Sequence, residues 1–398
     1  MNILFVTHRF VDPHIGGIER ITYNLTNSLK QNGYGCYSSY FEEYKSDMAD
    51  ENVFDGIKKI SEEHVFESIR SWIIEKNIQI VIAQGSDESV NSIMPELSKA
   101  VKSVSKCKLI FAFHTMPGFE QVDLNKNVLL YRIFHGQDFI YNAKYLLFCF
   151  FKPIIKKIIG SKWTMKYKLP YQYSDKVVVL TEKYREIYAE WADEKNLDKI
   201  CSIPNMYYSQ ANADKKECGK EKIMLWVGRF DDRSKRLSLA LEAWRHLGDE
   251  VNEWRFCIVG YGMDENYYRS YVEKYNLKNV SFEGFQDPSK YYEKASIYLM
   301  TSAFEGFPMV LLEAMEKGTV PVVFDSFASL HDVIDDGVNG FVVENNQLNT
   351  YCSRIKQLMM NEELRARMSC SAISSLNKFS SDRVIKKWID LFDNLLKE

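Results

Sequence analysis

A turn in the second half of the chain carries two glutamates at a spacing that could bind a charged ligand. Glu305 lies just before a predicted helix start, and Glu313 lies about one turn inside that helix. Backbone N–H groups at a helix start have no partner within the helix and suit a diphosphate, while a proline in the first turn removes no needed donor. One carboxylate can then reach a sugar and the other a ribose diol. The residues of the helix start are Phe307, Pro308, Met309 and Val310.

Either glutamate alone is more simply a solvated side chain. Glu313, however, lies among Leu311, Leu312 and Met315, and an unpaired charge is rarely found among core residues. The pattern therefore favours a bound or paired role for Glu313.

Two cations follow the predicted strand 222–227. Arg229 and Lys235 lie beyond its carboxyl end, where they can neutralise the two charges of a departing nucleotide diphosphate. A surface pair in a charged loop is the simpler alternative. Arg236, in the same loop, could share the phosphate role.

The remaining candidates are weaker signals when each is taken alone. Gly16 and Gly17 follow the first predicted strand at the start of a helix, where glycines let a ligand approach the backbone. His114 ends a predicted strand, although a lone histidine is more often structural. Asn205 and Gly260 follow two further strand-like runs, and we assign Gly260 only a steric role near a nucleotide.

The elements that must position these residues follow from periodicity. Short β-branched runs alternate with amphipathic helical patterns along most of the chain, which is typical of parallel βαβ units. The polar stretch 207–221 has no apolar periodicity and indicates a linker, and 380–397 predicts a final helix. The predicted strands are 2–7, 78–84, 108–114, 176–181, 222–227, 254–259, 280–285, 296–301, 320–324 and 340–343.

Composition limits the class of protein. A chain of 398 residues predicts two domains of about 200 residues each. The net charge of −3 gives no general attraction to nucleic acid. The chain has no run of about 20 apolar residues, so no membrane-spanning helix is predicted. The first residues resemble a strand more than a signal peptide. We therefore expect a cytoplasmic protein.

The spacing Glu305-x7-Glu313 around Glu-Gly-Phe-Pro resembles the signature of retaining glycosyltransferases of the GT-B fold, in particular glycosyltransferase family 4. The resemblance covers nearly the whole chain and is strongest over 222–345. It implies that Glu305 contacts hydroxyls of the donor sugar and that Glu313 holds the ribose. It also implies that Arg229 and Lys235 clamp the diphosphate.

The resemblance extends to the first half of the chain. The pair Gly16–Gly17, followed by Ile-Glu-Arg, is similar to the N-terminal Gly-Gly loop of the family. His114 corresponds to a histidine that lies beside the donor sugar, which implies hydrogen bonding near the reacting carbon. Ile-Pro-Asn, ending at Asn205, resembles the hinge-region Pro-Asn and implies that this asparagine lines the cleft.

The fold class so implied is α/β of the GT-B type, with two Rossmann-like doubly wound parallel-sheet domains facing a cleft. We expect an acceptor domain at 1–205, a nucleotide-sugar domain at 206–378, and a helix at 379–398 that packs back on the first domain. No cofactor or metal is expected, because GT-B enzymes generally work without a catalytic metal. The adjacent Asp231 and Asp232 also project in different directions.

A cationic and aromatic patch lies between Asp138 and Asp175, where seven lysines and no acidic residue occur. A basic, apolar segment too short to span a bilayer fits an anionic lipid surface, where each lysine contributes about 1 kcal/mol. A buried helix with a solvated lysine rim is the alternative. Family members that act on lipid-linked acceptors have a comparable patch. The residues of the patch that we predict to contact the membrane are Lys152, Lys156, Lys157 and Trp163.

These observations predict a retaining transferase that moves a hexose or N-acetylhexosamine from a UDP-sugar to a glycan or polyprenyl-diphosphate-linked acceptor. Bacterial cell-surface polysaccharide synthesis at the inner face of the cytoplasmic membrane is the expected setting, with no nucleic acid as partner. A nucleotide-sugar epimerase of the same fold and a non-catalytic sugar-nucleotide-binding protein are the alternatives. A dehydrogenase is disfavoured because the chain lacks Gly-x-Gly-x-x-Gly after a strand with an acid about 20 residues later.

Overall fold

The computed structural model of the chain describes residues 1–85, 88–120, 163–208 and 219–397. These residues form two compact units. The first comprises Met1–Met206 and Ser381–Glu398, and the second comprises Tyr207–Ser380. Among the described residues, no helix has both the length and the apolar character needed to cross a membrane.

The first unit is built on seven strands, whose order in the sheet is β3-β2-β1-β4-β5-β6-β7 and whose pairings are all parallel. The central strands are apolar and buried, as expected for strands that are covered on both faces. The strands are β1 (Asn2–Arg9), β2 (Gly35–Glu42), β3 (Gly56–Lys59), β4 (Ile78–Gly85), β5 (Lys108–Phe113), β6 (Lys176–Val179) and β7 (Ile200–Ser202). The helices are α1 (Gly17–Gln31), α2 (Val65–Glu75), α3 (Glu88–Ser92), α4 (Met94–Lys102), α5 (163–173) and α6 (Glu182–Ala192).

The second unit is built on six strands, again all parallel, in the order β10-β9-β8-β11-β12-β13. Aromatic side chains fill its core, where Trp244 stacks on Phe256 and Phe324 stacks on Tyr351. The strands are β8 (Glu221–Val227), β9 (Arg255–Val259), β10 (Val280–Gly284), β11 (Ala295–Met300), β12 (Val320–Asp325) and β13 (Phe341–Glu344). The helices are α7 (Leu237–Leu247), α8 (Glu265–Lys274), α9 (Ser289–Lys294), α10 (Met309–Glu316), α11 (Leu348–Met360) and α12 (Glu362–Ser375).

The last helix, α13 (Ser381–Lys397), belongs to the first unit although it follows the second in the chain. Its apolar face recurs at helical spacing and packs on α1. Phe392 is fully buried there and contacts Tyr34 edge to face at 6.3 Å between ring centroids.

Each sheet has a point at which its strand order reverses. The reversal lies between β1 and β4 in the first unit and between β8 and β11 in the second. Ligands in open α/β sheets bind beyond the carboxyl ends of the strands at such a point. In the second unit the loops that begin there are 228–236 and 301–308.

The prediction of two parallel-sheet α/β units is confirmed, but the prediction of individual elements was incomplete. Strands β2 and β3 and helices α2 and α4 were not predicted. The predicted linker 207–221 is wrong at both described ends, because Tyr207 is buried and pairs with Ser380 while Glu221 begins β8. Residues 209–218 of that stretch lie outside the described residues.

Candidate functional site

The centre of the candidate site is an ion pair between the two loops at the reversal point of the second unit. The Lys235 ammonium lies 2.6 Å from Oε1 of Glu305, and the two side chains are only 18% and 13% exposed. The Ser302 hydroxyl donates to the same carboxylate oxygen at 2.7 Å. Because β8 and β11 are neighbours, the structure brings together these two sequence-predicted residues, which are 70 positions apart.

Arg229 stands apart from this pair. Its side chain is exposed directly after β8, and none of the described residues forms an ion pair with it. An exposed guanidinium at the carboxyl end of a strand can make bidentate hydrogen bonds to phosphate. Arg229 is therefore the cation of this loop that a phosphate could reach without breaking an existing pair.

Arg236 is a correction to the sequence prediction. We expected it to be able to share the phosphate role, but its guanidinium is engaged by the protein. It donates to the carbonyls of Thr301 at 2.6 Å and Ser302 at 2.8 Å, and to the side-chain oxygens of Asn345 and Asn346. Burial lowers the pKa of Arg236 to about 10, so the group stays charged at neutral pH.

The two aspartates of the same loop are also engaged. Asp231 accepts from the Ser234 hydroxyl at 2.7 Å. Asp232 accepts from the N–H and the hydroxyl of Ser238 at 3.0 and 2.8 Å, and from the Tyr268 hydroxyl at 2.9 Å. These bonds fix the loop and the first turn of α7. Within the described ranges, no three His, Cys, Asp or Glu side chains form a group that could hold a metal ion.

The helix start at Met309 was correctly predicted, but one of its proposed donors is not available. Pro308 precedes α10, and the Met309 N–H donates to the carbonyl of Phe307 at 2.9 Å. The Met309 N–H is therefore engaged in this tight turn, although the sequence predicted that it would be free to bind a ligand. The Phe307 side chain is buried and lies edge to face against Phe379 at 5.2 Å between ring centroids.

Glu313 lies within α10, partly buried between core residues. Its Oε2 accepts a hydrogen bond of 3.3 Å from the Tyr292 hydroxyl. The Glu313 carboxylate, which the sequence places among apolar residues, therefore has a polar partner in Tyr292, as buried polar groups usually do.

Gly260 follows β9 with a φ of +143°, a conformation that other residues rarely adopt. A Cβ at this position would lie 1.9 Å from the carbonyl oxygen of Gly228. The glycine thus permits a close approach between two backbone segments. The sequence predicted a steric role for Gly260. In the structure its missing side chain makes room for Gly228, the residue that precedes Arg229.

An exposed aromatic pair at the same edge was missed by sequence reasoning. Tyr261 is 55% exposed and Phe285 is 76% exposed, and their ring centroids lie 4.9 Å apart. They follow the carboxyl ends of β9 and β10. The signal was present in the sequence, because each ring comes directly after a glycine near the end of a strand-like run. Gly260 follows the predicted strand 254–259, and Gly284 is the second-last residue of the predicted strand 280–285.

In the first unit, Gly16 and Gly17 begin α1 as expected. A Cβ on Gly16 would lie 2.1 Å from the Glu19 carboxylate, whereas a Cβ on Gly17 would meet no atom within 4 Å. The loop before them is held by Asp12, which is fully buried and accepts from the N–H groups of His14 and Ser46. The open side of the helix start is therefore at Gly17.

His114 and Asn205, which the sequence could not connect, line one small pocket of the first unit with Phe113 and Trp388. The His114 Nε2 is hydrogen-bonded to the Gln84 side chain, and no partner for its buried Nδ1 is found among the described residues. Burial lowers the pKa of His114 to about 4. The imidazole is therefore neutral at pH 7, and it offers hydrogen bonds and no charge.

The predicted lipid-binding patch is only partly described. Lys152, Lys156 and Lys157 lie outside the described residues. Trp163 packs against Trp191 at 6.1 Å between ring centroids. Lys166, counted among the seven lysines of the patch, is a correction, because it forms a buried ion pair of 2.7 Å with Glu120.

Part of the chain is similar in sequence to a known protein family. Residues 209–374, which are almost all of the second unit, match the family model described as glycosyl transferases group 1.

Two curated relatives are similar to parts of the chain. One is a poly(ribitol-phosphate) alpha-N-acetylglucosaminyltransferase of Staphylococcus aureus, 29% identical over 221 residues, which are 55% of this chain and 44% of the relative. Another is the amylovoran biosynthesis glycosyltransferase AmsD of Erwinia amylovora, 26% identical over 229 residues, which are 56% of this chain and 63% of the relative. The chain thus spans roughly half the length of these relatives.

The fold is that of solved GT-B structures. Anabaena HepE in complex with UDP has a TM-score of 0.73 and 13% identity, with 99% of this chain and 100% of that chain covered. At this identity the likeness shows the fold alone.

Proposed function

We propose that this protein is a retaining glycosyltransferase that uses a UDP-sugar. The observation that carries the proposal is the Lys235–Glu305 pair together with the exposed Arg229 of the same loop as Lys235, at the point where the strand order of the second unit reverses. A carboxylate in that position suits the sugar of a nucleotide sugar, and two cations suit its diphosphate. The hydroxyls of the sugar need acceptors, and the diphosphate needs positive charge.

The proposed division of labour follows from burial. Arg229 is exposed and takes up charge on the departing diphosphate. Lys235 is held by Glu305, so it sits between the leaving phosphate and the sugar-binding carboxylate. As the bond from the sugar C1 to the phosphate oxygen breaks, negative charge develops on the diphosphate, and fixed cations stabilise it without reorganisation. The acceptor hydroxyl attacks C1 on the same face and its proton passes to the departing phosphate oxygen.

The nucleoside is proposed to occupy the same edge of the sheet. Glu313, whose Oε2 accepts a hydrogen bond from the Tyr292 hydroxyl, is proposed to accept the ribose hydroxyls. The exposed Tyr261 and Phe285 rings offer a face on which the base stacks, and base–aromatic stacking is worth about 1–3 kcal/mol per base. Removal of the Phe285 ring is expected to weaken UDP binding.

The acceptor is assigned to the first unit, with Gly17 and His114 at the carboxyl edge of its sheet. The relatives that act on poly(ribitol-phosphate) and in amylovoran synthesis support a cell-surface polymer or its lipid-linked precursor as acceptor. An acceptor of that kind would place the enzyme at the inner face of the cytoplasmic membrane. The same likenesses do not favour an epimerase or a non-catalytic binding protein.

No metal is proposed for the chemistry, because Arg229 and Lys235 supply the positive charge and Asp231 and Asp232 are occupied by protein donors. Turnover in the presence of excess EDTA tests this point directly. A loss of activity that Mg²⁺ restores would contradict it.

The decisive experiment is a panel of nucleotide sugars with a polyprenyl-diphosphate-linked glycan acceptor, with product mass and anomeric linkage as readouts. Glu305→Gln is expected to lower kcat by roughly 100-fold or more, since preorganised electrostatic contacts are worth that much. Glu253→Gln is the matched control, because Glu253 forms an exposed ion pair with Lys222 in the same unit. Near wild-type turnover by Glu305→Gln would sink the assignment, and epimerised sugar with free UDP in the absence of acceptor would favour an epimerase.

A further inference from the structure

Arg236 adopts a backbone conformation that few residues of its size adopt. Its φ is +50° and its ψ is +47°, and it immediately precedes the first residue of α7. A long side chain in the left-handed region is strained, and such strain persists only where the surroundings hold it. The interactions of the Arg236 guanidinium must therefore compensate for this strain.

The guanidinium bonds to two consecutive carbonyls at the end of β11. Nε donates to the Thr301 carbonyl and Nη2 donates to the Ser302 carbonyl, while Nη1 donates to the side-chain oxygens of Asn345 and Asn346 at 2.9 and 3.0 Å. The group also lies over the Phe324 ring, 5.7 Å from its centroid. A planar fork with five donors can make this set of bonds, and a lysine ammonium cannot.

Two more bonds join the same loops. The Thr301 hydroxyl donates to the Lys235 carbonyl at 2.9 Å, and the Ala303 N–H donates to the Ser234 carbonyl at 2.7 Å. Bonds from Ser234, Lys235 and Arg236 therefore join the loop that carries Lys235 to residues 301–303 of the loop that carries Glu305. Arg236 is the charged member of this junction.

From this arrangement we infer that Arg236 is a positioning residue for the Lys235–Glu305 pair. It acts through the backbone of residues 301–302 and does not touch the donor. The inference rests on the proposed function, since it assigns to Arg236 the setting of the spacing between the ammonium and the carboxylate. Misplacement of a catalytic group by about 1 Å can lower turnover by roughly 100-fold.

The test uses Arg236→Gly and Arg236→Lys in the full chain. Glycine accepts the positive φ, so it removes the side chain without backbone strain. Both variants are expected to lower kcat by roughly 10-fold to 100-fold with a smaller change in UDP affinity, because the effect falls on the geometry of the transition state. Guanidinium ion at a non-denaturing concentration is expected to restore part of the turnover of Arg236→Gly and none of that of Arg236→Lys.

A matched control separates positioning from stability. Arg365, in the same unit, donates to the carbonyls of Leu358 and Met359 and lies over the Trp254 ring, away from the ion pair. Arg365→Ala is expected to lower the melting temperature and to leave kcat unchanged. If Arg236→Gly does not fold, the double change Asn345→Ala with Asn346→Ala loosens the guanidinium and is expected to lower kcat in the same direction.

Three outcomes overturn the inference. One is wild-type kcat in Arg236→Gly, or in the double asparagine variant should the glycine variant not fold. Another is a kcat loss in Arg365→Ala equal to that in Arg236→Gly. The third is recovery by Arg236→Lys together with a large loss of UDP affinity in Arg236→Gly, which would make Arg236 a direct phosphate ligand. If Glu305→Gln abolishes turnover and Arg236→Gly does not lower it, only this inference fails. If neither Glu305→Gln nor Arg236→Gly lowers turnover, the proposed function fails.

Discussion

At the scale of single residues, burial decides which charges the molecule can use. Lys235 and Glu305 are both partly buried but face each other at 2.6 Å, so neither charge is left uncompensated. His114 has no such partner, and its ring nitrogen Nε2 is bonded to the neutral Gln84 side chain. Desolvation therefore acts without opposition and keeps the imidazole neutral.

The neutral state of His114 predicts a pH dependence of stability. Its folded pKa of about 4 lies below the ordinary 6.5, so the unfolded chain binds more protons between those values. The free energy of unfolding is expected to fall as the pH drops from 6.5 to 4, by on the order of 3 kcal/mol at most, and to be unaffected by this group above pH 6.5. Urea unfolding across this range measures the slope.

His114→Asn should flatten that slope, because the replacement does not titrate. Removal of the exposed His64 is the matched control and should preserve the wild-type curve. A slope that His114→Asn leaves unchanged would show that other groups produce the acid sensitivity.

At the scale of elements, the loops after β8, β9 and β11 form the site because their strands are neighbours in one parallel sheet. The loops after β8 and β9 are in close backbone contact. Gly260 leaves no room for a Cβ against the Gly228 carbonyl, and Gly228 itself bonds to the last residue of β9. The position of Arg229 therefore depends on a glycine in another loop.

Gly260→Ala is expected to destabilise the second unit by roughly 1–3 kcal/mol, because it combines an unfavourable backbone conformation with a clash. The shift it forces on residues 228–229 should also weaken UDP binding through Arg229. Calorimetry and UDP titration measure the two effects. Gly337→Ala is the control, since Gly337 of the same unit has a φ of +75° but a Cβ there would meet no atom within 4 Å.

The control should lose stability without losing UDP affinity. If both variants weaken UDP binding equally, the close approach to Gly228 is not what positions Arg229.

The sequence predicted elements better than it predicted partners. Periodicity located the strands of the second sheet, the central strands of the first and the start of α10 at Met309, because burial on both faces of a parallel sheet leaves continuous apolar runs. It missed β2 and β3 of the first sheet. It could not show that the Met309 N–H closes a tight turn or that Arg236 bonds to residues 65 and 66 positions away. The first is a local turn and the second is a long-range set of hydrogen bonds, and composition and spacing contain neither.

At the scale of the whole molecule, the chain passes from one unit to the other twice, after Met206 and after Ser380. The second-unit ends of these connections lie side by side, because the Tyr207 N–H donates to the Phe379 carbonyl at 2.8 Å and Tyr207 pairs with Ser380. Phe379 also contacts Phe307 of the turn before α10. The final helix then completes the first unit, which is therefore built from both ends of the chain.

That assembly predicts a selective loss of stability when α13 is damaged. Phe392 is fully buried between Tyr34 and Trp388, so Phe392→Ala is expected to cost about 3–5 kcal/mol. The loss should fall on the first unit, although residue 392 follows the entire second unit in sequence. Hydrogen exchange read by mass spectrometry should therefore show faster exchange in β1, β2 and α1, with β8 to β12 unchanged.

The matched variant is Phe324→Ala, which removes a buried ring stacked on Tyr351 in the core of the second unit. It should produce the opposite pattern, with faster exchange in β8 to β12 and protection retained in β1 and β2. The comparison is informative because both variants delete the same side chain from a buried site, so a difference in where protection is lost reports the unit to which each ring belongs. Faster exchange of β8 to β12 in Phe392→Ala, with β1 and β2 still protected, would mean that α13 stabilises the second unit and that the first unit ends at Met206.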